Sequence, residues 1–174
     1  MRDDDVLENN PRVSRSALEA IHDQVFGWAL SRCDYQHAVA EDLVQQAYVE
    51  LLTGKAKFEE RSSLKTFVFS VVQNLSRSRF RRVASRMRLV REVKRNMPDE
   101  AVVAPTNTEH PNLWATVQQL PQRQRDVIEL VFCRDMTIEE ASRVMGVTTG
   151  TGRVHYDRAK KALRVSLESG AENE

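Results

Sequence analysis

Little in this sequence punctuates it. Six glycines and five prolines are spread over 174 residues, which favours long helices over a turn-rich β architecture. Cysteine is scarcer still. Cys33 and Cys133 stand far apart and outside any close Cys/His cluster, so neither a disulfide framework nor a zinc site is indicated. Both read as small buried or half-buried thiols. His22, His37, His110 and His155 are scattered, with no phosphate loop, metal-ligand spacing or nucleophile motif beside them, which argues against an enzyme and against a metal or other cofactor. No apolar run is long enough to span a bilayer, and the acidic start Met1-Arg2-Asp3-Asp4-Asp5 has nothing of a signal peptide. The cytoplasm is therefore the expected location, with no membrane insertion. Strand-like alternation persists nowhere.

What is present is helical and charged. Hydrophobic residues make up 41% of the chain and charged residues 29%, the balance of a soluble helical protein. The net charge of +1 conceals a strong polarity. Arg77, Arg79, Arg81, Arg82, Arg86, Arg88, Arg91, Lys94 and Arg95 crowd one stretch against the single acid Glu92. A second basic set, Arg153, Arg158, Lys160, Lys161 and Arg164, lies near the C-terminus. Clusters of this kind point to nucleic acid more directly than the total does.

Periodicity divides the chain. Residues 1–13 are polar and aperiodic and read as a mobile tail, and a first domain is expected over 14–95. Ser16 is the expected cap of a first helix, with Glu19 completing a capping box and Leu18, Ile21, Val25 and Trp28 on one face. A second helix is expected from His37 to Leu52, stopped at the left-handed position by Gly54. Ser63 then caps a helix whose stripe Leu64, Phe67, Val68, Val71, Val72 and Leu75 runs without a breaker into the arginines. Pro98, Pro105 and Pro111 mark residues 96–111 as a flexible linker. Residues 112–168 form a second helical domain, followed by a tail at 169–174. The fold class is thus all-α, in two small helical domains.

Within the second domain, Thr137-Ile138-Glu139-Glu140 is a capping box, Met145-Gly146 a helix stop, and a basic helix follows from Thr149. Together they outline a helix-turn-helix. Tyr156, Ala159 and Leu163 face inward, leaving Arg153, His155, Arg158, Lys160, Lys161 and Arg164 for solvent or DNA. A recognition helix of this type lays its first turns against base edges while flanking cations neutralise phosphates.

The run Leu120-Pro121-Gln122-Arg123-Gln124-Arg125-Asp126-Val127, with Met136–Ala141, Met145-Gly146-Val147 and Gly150-Thr151, resembles the C-terminal domain of extracytoplasmic-function sigma factors of the sigma-70 family. LuxR-type response regulators share a similar run, so this half marks a helix-turn-helix regulator without saying which kind. The N-terminal half distinguishes them. Ala40–Tyr48 resembles the family's polymerase-binding helix, and Phe58, Ser63–Phe69, Asn74-Leu75 and Phe80-Arg81-Arg82 resemble its promoter-melting segment. The resemblance implies Glu41, Asp42, Gln45 and Tyr48 as contacts to core RNA polymerase, through the β′ clamp helices, with the β flap as a further contact of the family. It implies Lys57, Phe58, Arg61, Ser62, Asn74, Arg77, Arg79, Arg81 and Arg82 at the melted −10 element of promoter DNA. Thr149, Thr151, Arg153, His155, Arg158 and Lys161 are implied at the −35 element.

Three departures accompany the match. Val39 and Gln46 stand where the family often has acids, which leaves the polymerase-binding helix under-charged. Phosphorylation of Thr53, Ser62 or Ser63 by a Ser/Thr kinase would restore the missing charge. Gly152 stands where a branched aliphatic is usual, so the second domain is expected to be less rigid or its recognition helix shifted. Two alternatives remain open: a regulator that binds an operator without polymerase, and a sigma mimic that sequesters an anti-sigma factor.

Overall fold

The computed structural model describes residues 6–93 and 111–171. The expected linker falls almost wholly outside these ranges, as do residues 1–5, 172–174 and the side chains of Arg88, Arg91, Lys94 and Arg95. The chain divides into two compact units, Met1–Ala104 and Pro105–Glu174.

The first unit opens with a feature that periodicity did not reveal. Residues 6–13 are not a tail. β1 (Val6–Leu7) pairs antiparallel with β2 (Asn10–Ser14), and Val13 is completely buried, with Leu7 and Asn10 nearly so. An irregular register between Val6 and Leu7, and two exposed residues between Asn10 and Val13, break the alternation by which a strand is normally recognised. Ser14, not Ser16, caps the helix that follows: its Oγ accepts the Ala17 N–H at 3.1 Å, while Ser16 Oγ lies 3.2 Å from it.

α1 (Arg15–Arg32), α2 (His37–Leu52) and α3 (Leu64–Val93) pack pairwise into a three-helix bundle. Trp28 is its centre. The indole is fully buried, lies parallel to Phe69 at 5.8 Å, and donates its N–H to the Phe69 carbonyl at 3.2 Å, leaving no unpaired polar atom on the ring. Val25, Ala29, Leu43, Ala47, Leu51, Val68 and Val72 are buried with it. α2 ends as expected: Gly54 has φ +69°, and a Cβ there would come within 3.2 Å of the Asn9 carbonyl oxygen, so the hairpin turn and the helix end meet where only glycine fits.

The second unit comprises α4 (Pro111–Gln119), α5 (Gln122–Ile128), α6 (Ile138–Met145) and α7 (Thr149–Ala171). α7 carries helix through 169–171, where a tail was expected. Pro121 stands one residue before α5, at its cap. α5 runs into a π turn, Glu129–Cys133, and the widened turn re-phases the side chains. Leu130 and Glu129 are buried, whereas Phe132, in the same apolar run, is 61% exposed. Arg134 pairs with the buried Glu129 at 3.2 Å. Leu120, Ile128 and Ala159, flanked by Tyr156, Ala162 and Leu163, close the core beneath α7.

Gly152 lets α6 and α7 meet. A Cβ on Gly152 would lie 1.9 Å from Ser142 Oγ and 3.1 Å from Ser142 Cβ. Ser142 is buried and its hydroxyl donates to the Ile138 carbonyl at 2.6 Å. Gly152 and Ser142 compensate each other: a hydroxyl on one helix occupies the space that a side chain on the other gives up.

Candidate nucleic-acid interface

On α2 the buried residues Ala40, Leu43, Val44, Ala47 and Leu51 leave a continuous outer face. Glu41, Asp42, Gln45, Gln46, Val49 and Leu52 are exposed along it, whereas Val39 is half-buried. Tyr48 is also half-buried: its hydroxyl lies 3.0 Å from His22 Nδ1 on α1, and burial pushes its pKa above the ordinary value. Tyr48 therefore ties two helices together, while Glu41, Asp42 and Gln45 present themselves outward. Val49 and Leu52, each 48% exposed, extend the same face. Sequence alone does not single them out, because apolar residues near a helix end are ordinarily assigned to a core. Thr53 follows in line with Asp42 and Gln46, at i+11 and i+7, and its Oγ1 donates to the Val49 carbonyl at 2.8 Å.

The loop between α2 and α3 exposes Lys57 and Arg61 and half-buries Phe58 and Ser62. The Phe58 ring packs on Phe67 of α3 at 5.2 Å, so it braces the loop as well as facing it. Arg61 pairs with Glu59 at 2.8 Å. Ser63 caps α3 as expected, accepting the Thr66 N–H at 3.2 Å. Beyond its buried part, α3 emerges from the bundle. Arg79, Phe80, Arg81, Arg82 and Val83 are exposed in succession, which a helix allows only where nothing packs against either side. Asn74, Arg77 and Arg81 fall in one row and Arg79, Arg82 and Arg86 in another. Phe80, 74% exposed, projects among these cations, an arrangement suited to a base stacked between charged groups that hold the backbone.

In the second unit the capping box is complete: Thr137 Oγ1 accepts the Glu140 N–H at 3.2 Å and Glu140 Oε2 accepts the Thr137 N–H at 2.9 Å. Gly146 ends α6 at φ 64°. Thr148 starts α7, its hydroxyl accepting the Thr151 N–H at 3.2 Å. Arg123 donates to the Met145 carbonyl at 2.8 Å and so fastens α5 to the end of α6. Of the expected contact residues, Thr151, Arg153, Arg158 and Lys161 are exposed, and Thr149 and His155 are half-buried. The Thr151 hydroxyl lies 2.9 Å from Thr148 Oγ1 and thus shares in the cap. Gly150, Val154, Asp157 and Lys161 form the most outward row. Val154, 46% exposed, is an apolar group suited to a thymine methyl, which a search for basic residues misses. Arg164 pairs with Glu168 at 2.8 Å.

Neither thiol is poised for chemistry. Burial pushes both Cys33 and Cys133 upward, with the Glu129 carboxylate adding to the effect at Cys133, although Cys133 as a residue is exposed. Among the described residues no group of three or more His, Cys, Asp or Glu side chains is placed to hold a metal ion. No described helix is long and apolar enough to cross a membrane.

Comparison with known proteins agrees with this division. Residues 17–86 match the family model for sigma-70 region 2 and residues 111–163 that for sigma-70 region 4. The chain is 30% identical over 138 residues to the ECF RNA polymerase sigma factor EcfG of Rhodopseudomonas palustris, covering 77% of this chain and 75% of that protein. It is 28% identical over 138 residues to the ECF RNA polymerase sigma factor SigX of Bacillus subtilis, covering 74% and 70%. Among solved structures, the sigma factor RpoE in complex with the anti-sigma factor NepR, from Bartonella quintana, has a similar fold: TM-score 0.67 at 22% identity, over 88% of this chain and 96% of that one.

Proposed function

The chain belongs to the extracytoplasmic-function sigma factors of the sigma-70 family, and we propose that it divides promoter recognition between its two units. As an alternative sigma factor it directs RNA polymerase to promoters and to initiation, a role in which the subunit itself performs no bond chemistry. Glu41, Asp42 and Gln45, extended by Val49 and Leu52, bind core polymerase at the β′ clamp helices. Tyr48 acts from behind this face by holding α2 against α1. Lys57, Phe58, Arg61 and Ser62 receive an extruded base of the −10 element, and Asn74, Arg77, Arg79, Arg81 and Arg82 hold the separated strand. Thr149, Thr151, Arg153, Val154, His155, Arg158 and Lys161 read the −35 element in the major groove, and the second unit meets the β flap. Acting on promoters, the protein would work in the cytoplasm. An anti-sigma factor, as seen on the RpoE relative, and a Ser/Thr kinase acting at Thr53, Ser62 or Ser63 are the classes of partner that would restrain or activate it.

The observation that carries this reading is the outward projection of α3. Five successive exposed residues, three of them arginines around Phe80, have no use in a bundle core and suit a strand-holding surface. Run-off transcription with core polymerase and a promoter library tests it. Specific initiation that requires both protein and core is the expected result. No initiation, together with tight stand-alone binding to an operator, would reject it in favour of a polymerase-independent regulator.

A further inference from the structure

The loop assigned above to base capture is held by a segment more than forty residues away in sequence. Asn10, on β2, is only 3% exposed, and its side-chain amide is used at both ends. Nδ2 donates to the Leu51 carbonyl at 2.5 Å and to the Ala56 carbonyl at 2.8 Å, and Oδ1 accepts the Phe58 N–H at 2.9 Å. One amide thereby connects the end of α2, the middle of the loop and the residue whose ring braces α3. Beside it, Asn9 Nδ2 donates to the Leu52 carbonyl at 2.8 Å, and Arg12 pairs with Glu60 at 3.4 Å. Glu60 itself adopts φ 56°, a left-handed conformation that a non-glycine residue keeps only when its surroundings hold it there.

The loop's own backbone does little to fix it. Its backbone between Thr53 and Ser63 contains no regular secondary structure, and only one backbone–backbone hydrogen bond starts within residues 55–62, from the Ala56 N–H to the Glu50 carbonyl. Asparagine suits the position because it offers two donors and an acceptor on one short, uncharged side chain. Aspartate would turn both donor contacts into facing oxygen lone pairs, and alanine would leave two carbonyls and an amide without these partners at sites that are buried or part-buried.

We propose that the N-terminal hairpin is a positioning element for promoter melting, and that Asn10 is its key residue: it sets the shape of the 55–62 loop before DNA arrives, so that the extruded base meets a formed pocket. This rests on the sigma-factor reading given above. Asn10 touches no DNA in this scheme; it acts through the loop.

The test uses the full chain with core polymerase and two templates, a duplex promoter and the same promoter with its −10 region already unpaired. The Asn10→Ala and Asn10→Asp variants are each expected to lower open-complex formation on the duplex about tenfold, the scale of losing one well-placed buried hydrogen-bonding group. Affinity for core polymerase and transcription from the unpaired template should stay within about twofold of wild type, because the step that needs the preformed pocket is bypassed there. Asn9→Ala, at an exposed position where folding is not at stake, should show the same split at about two- to threefold. Unchanged duplex activity in Asn10→Asp and Asn9→Ala would overturn the proposal. So would an equal fall on both templates, which would make the hairpin a general stability element. Inactivity of the wild-type protein with core on every duplex promoter would instead overturn the sigma-factor reading.

Discussion

The two units support a basic helix by opposite means. In the second, the supports are local: Thr137 and Glu140 cap α6, Gly146 ends it, Thr148 starts α7, and Ser142 nests against Gly152 ten residues on. In the first, the loop before the basic helix is held by Asn10 and Arg12, from 46 to 48 residues away, and the helix itself runs clear of its bundle. A short reading motif can be built from neighbours in sequence. On the reading proposed above, a pocket for an unpaired base is braced from outside, because its own residues must stay available to the base.

The sharpest way to break the comparison is at the cores. Trp28→Ala should destabilise the first unit by about 3–5 kcal/mol, the usual cost of emptying a large aromatic site, while the second unit keeps its own transition. Thermal unfolding followed by signals assigned to each unit checks this. A single loss shared equally by both would mean that they fold as one cooperative body.

At the α6–α7 contact the prediction runs against helix propensity. Alanine is worth about 1 kcal/mol over glycine inside a helix, yet Gly152→Ala should destabilise the second unit by about 1–3 kcal/mol, because the new methyl overlaps the Ser142 hydroxyl. Ser142→Ala should recover much of that loss in the double variant. The diagnostic quantity is the coupling between the two substitutions, measured by a denaturant double-mutant cycle. Simple additivity would show that the hydroxyl is not what excludes a side chain at 152.

This pair also marks the limit of what sequence makes legible. Helix positions, the Thr137–Glu140 capping box, the Gly54 and Gly146 stops and the Ser63 cap were legible because each is a local pattern within a turn or two of chain. Residue 152 was legible as unusual, but its effect depended on a contact across the turn, and from propensity alone it read as a weakness. The hairpin was not legible at all. Its buried residues Leu7, Asn10 and Val13 follow a three-residue spacing imposed by the turn and the irregular register, and Asn10 reads as a solvated polar residue until its three partners are seen. The π turn hid the exposure of Phe132 in the same way, by shifting phase within an otherwise regular apolar run.

The charged faces offer a gentler comparison. Arg79→Ala and Arg82→Ala on α3 should each weaken holoenzyme binding to promoters about equally across sequences. Each should also flatten the dependence of log affinity on log salt by about 0.7–0.9 for every phosphate that is no longer neutralised. Val154→Ala on α7 should leave the salt slope unchanged and relax preference at one base position of the upstream element, with a cost of about 1 kcal/mol or less. Binding measured over a salt series with a randomised upstream element separates the two. Equal slopes for all three variants would erase the distinction between strand holding and base reading.

The smallest effect concerns the under-charged face of α2. Of the three candidate hydroxyls, Ser63 already accepts the Thr66 N–H as a helix cap and Ser62 lies on the loop beyond it. Thr53 alone stands in line with Asp42 and Gln46 on the helix face itself, so charge placed there adds to the outward acids. An exposed ion pair contributes about 0.2–1 kcal/mol, which corresponds to an increase in core affinity of up to about fivefold for Thr53→Glu, declining as salt is raised. Ser62→Glu and Ser63→Glu should not reproduce it, because their charge falls outside that row. Equal core affinity for wild type and all three variants at low salt would remove the missing acids as a point of control, and leave Glu41 and Asp42, with the apolar pair Val49 and Leu52, as a sufficient polymerase face.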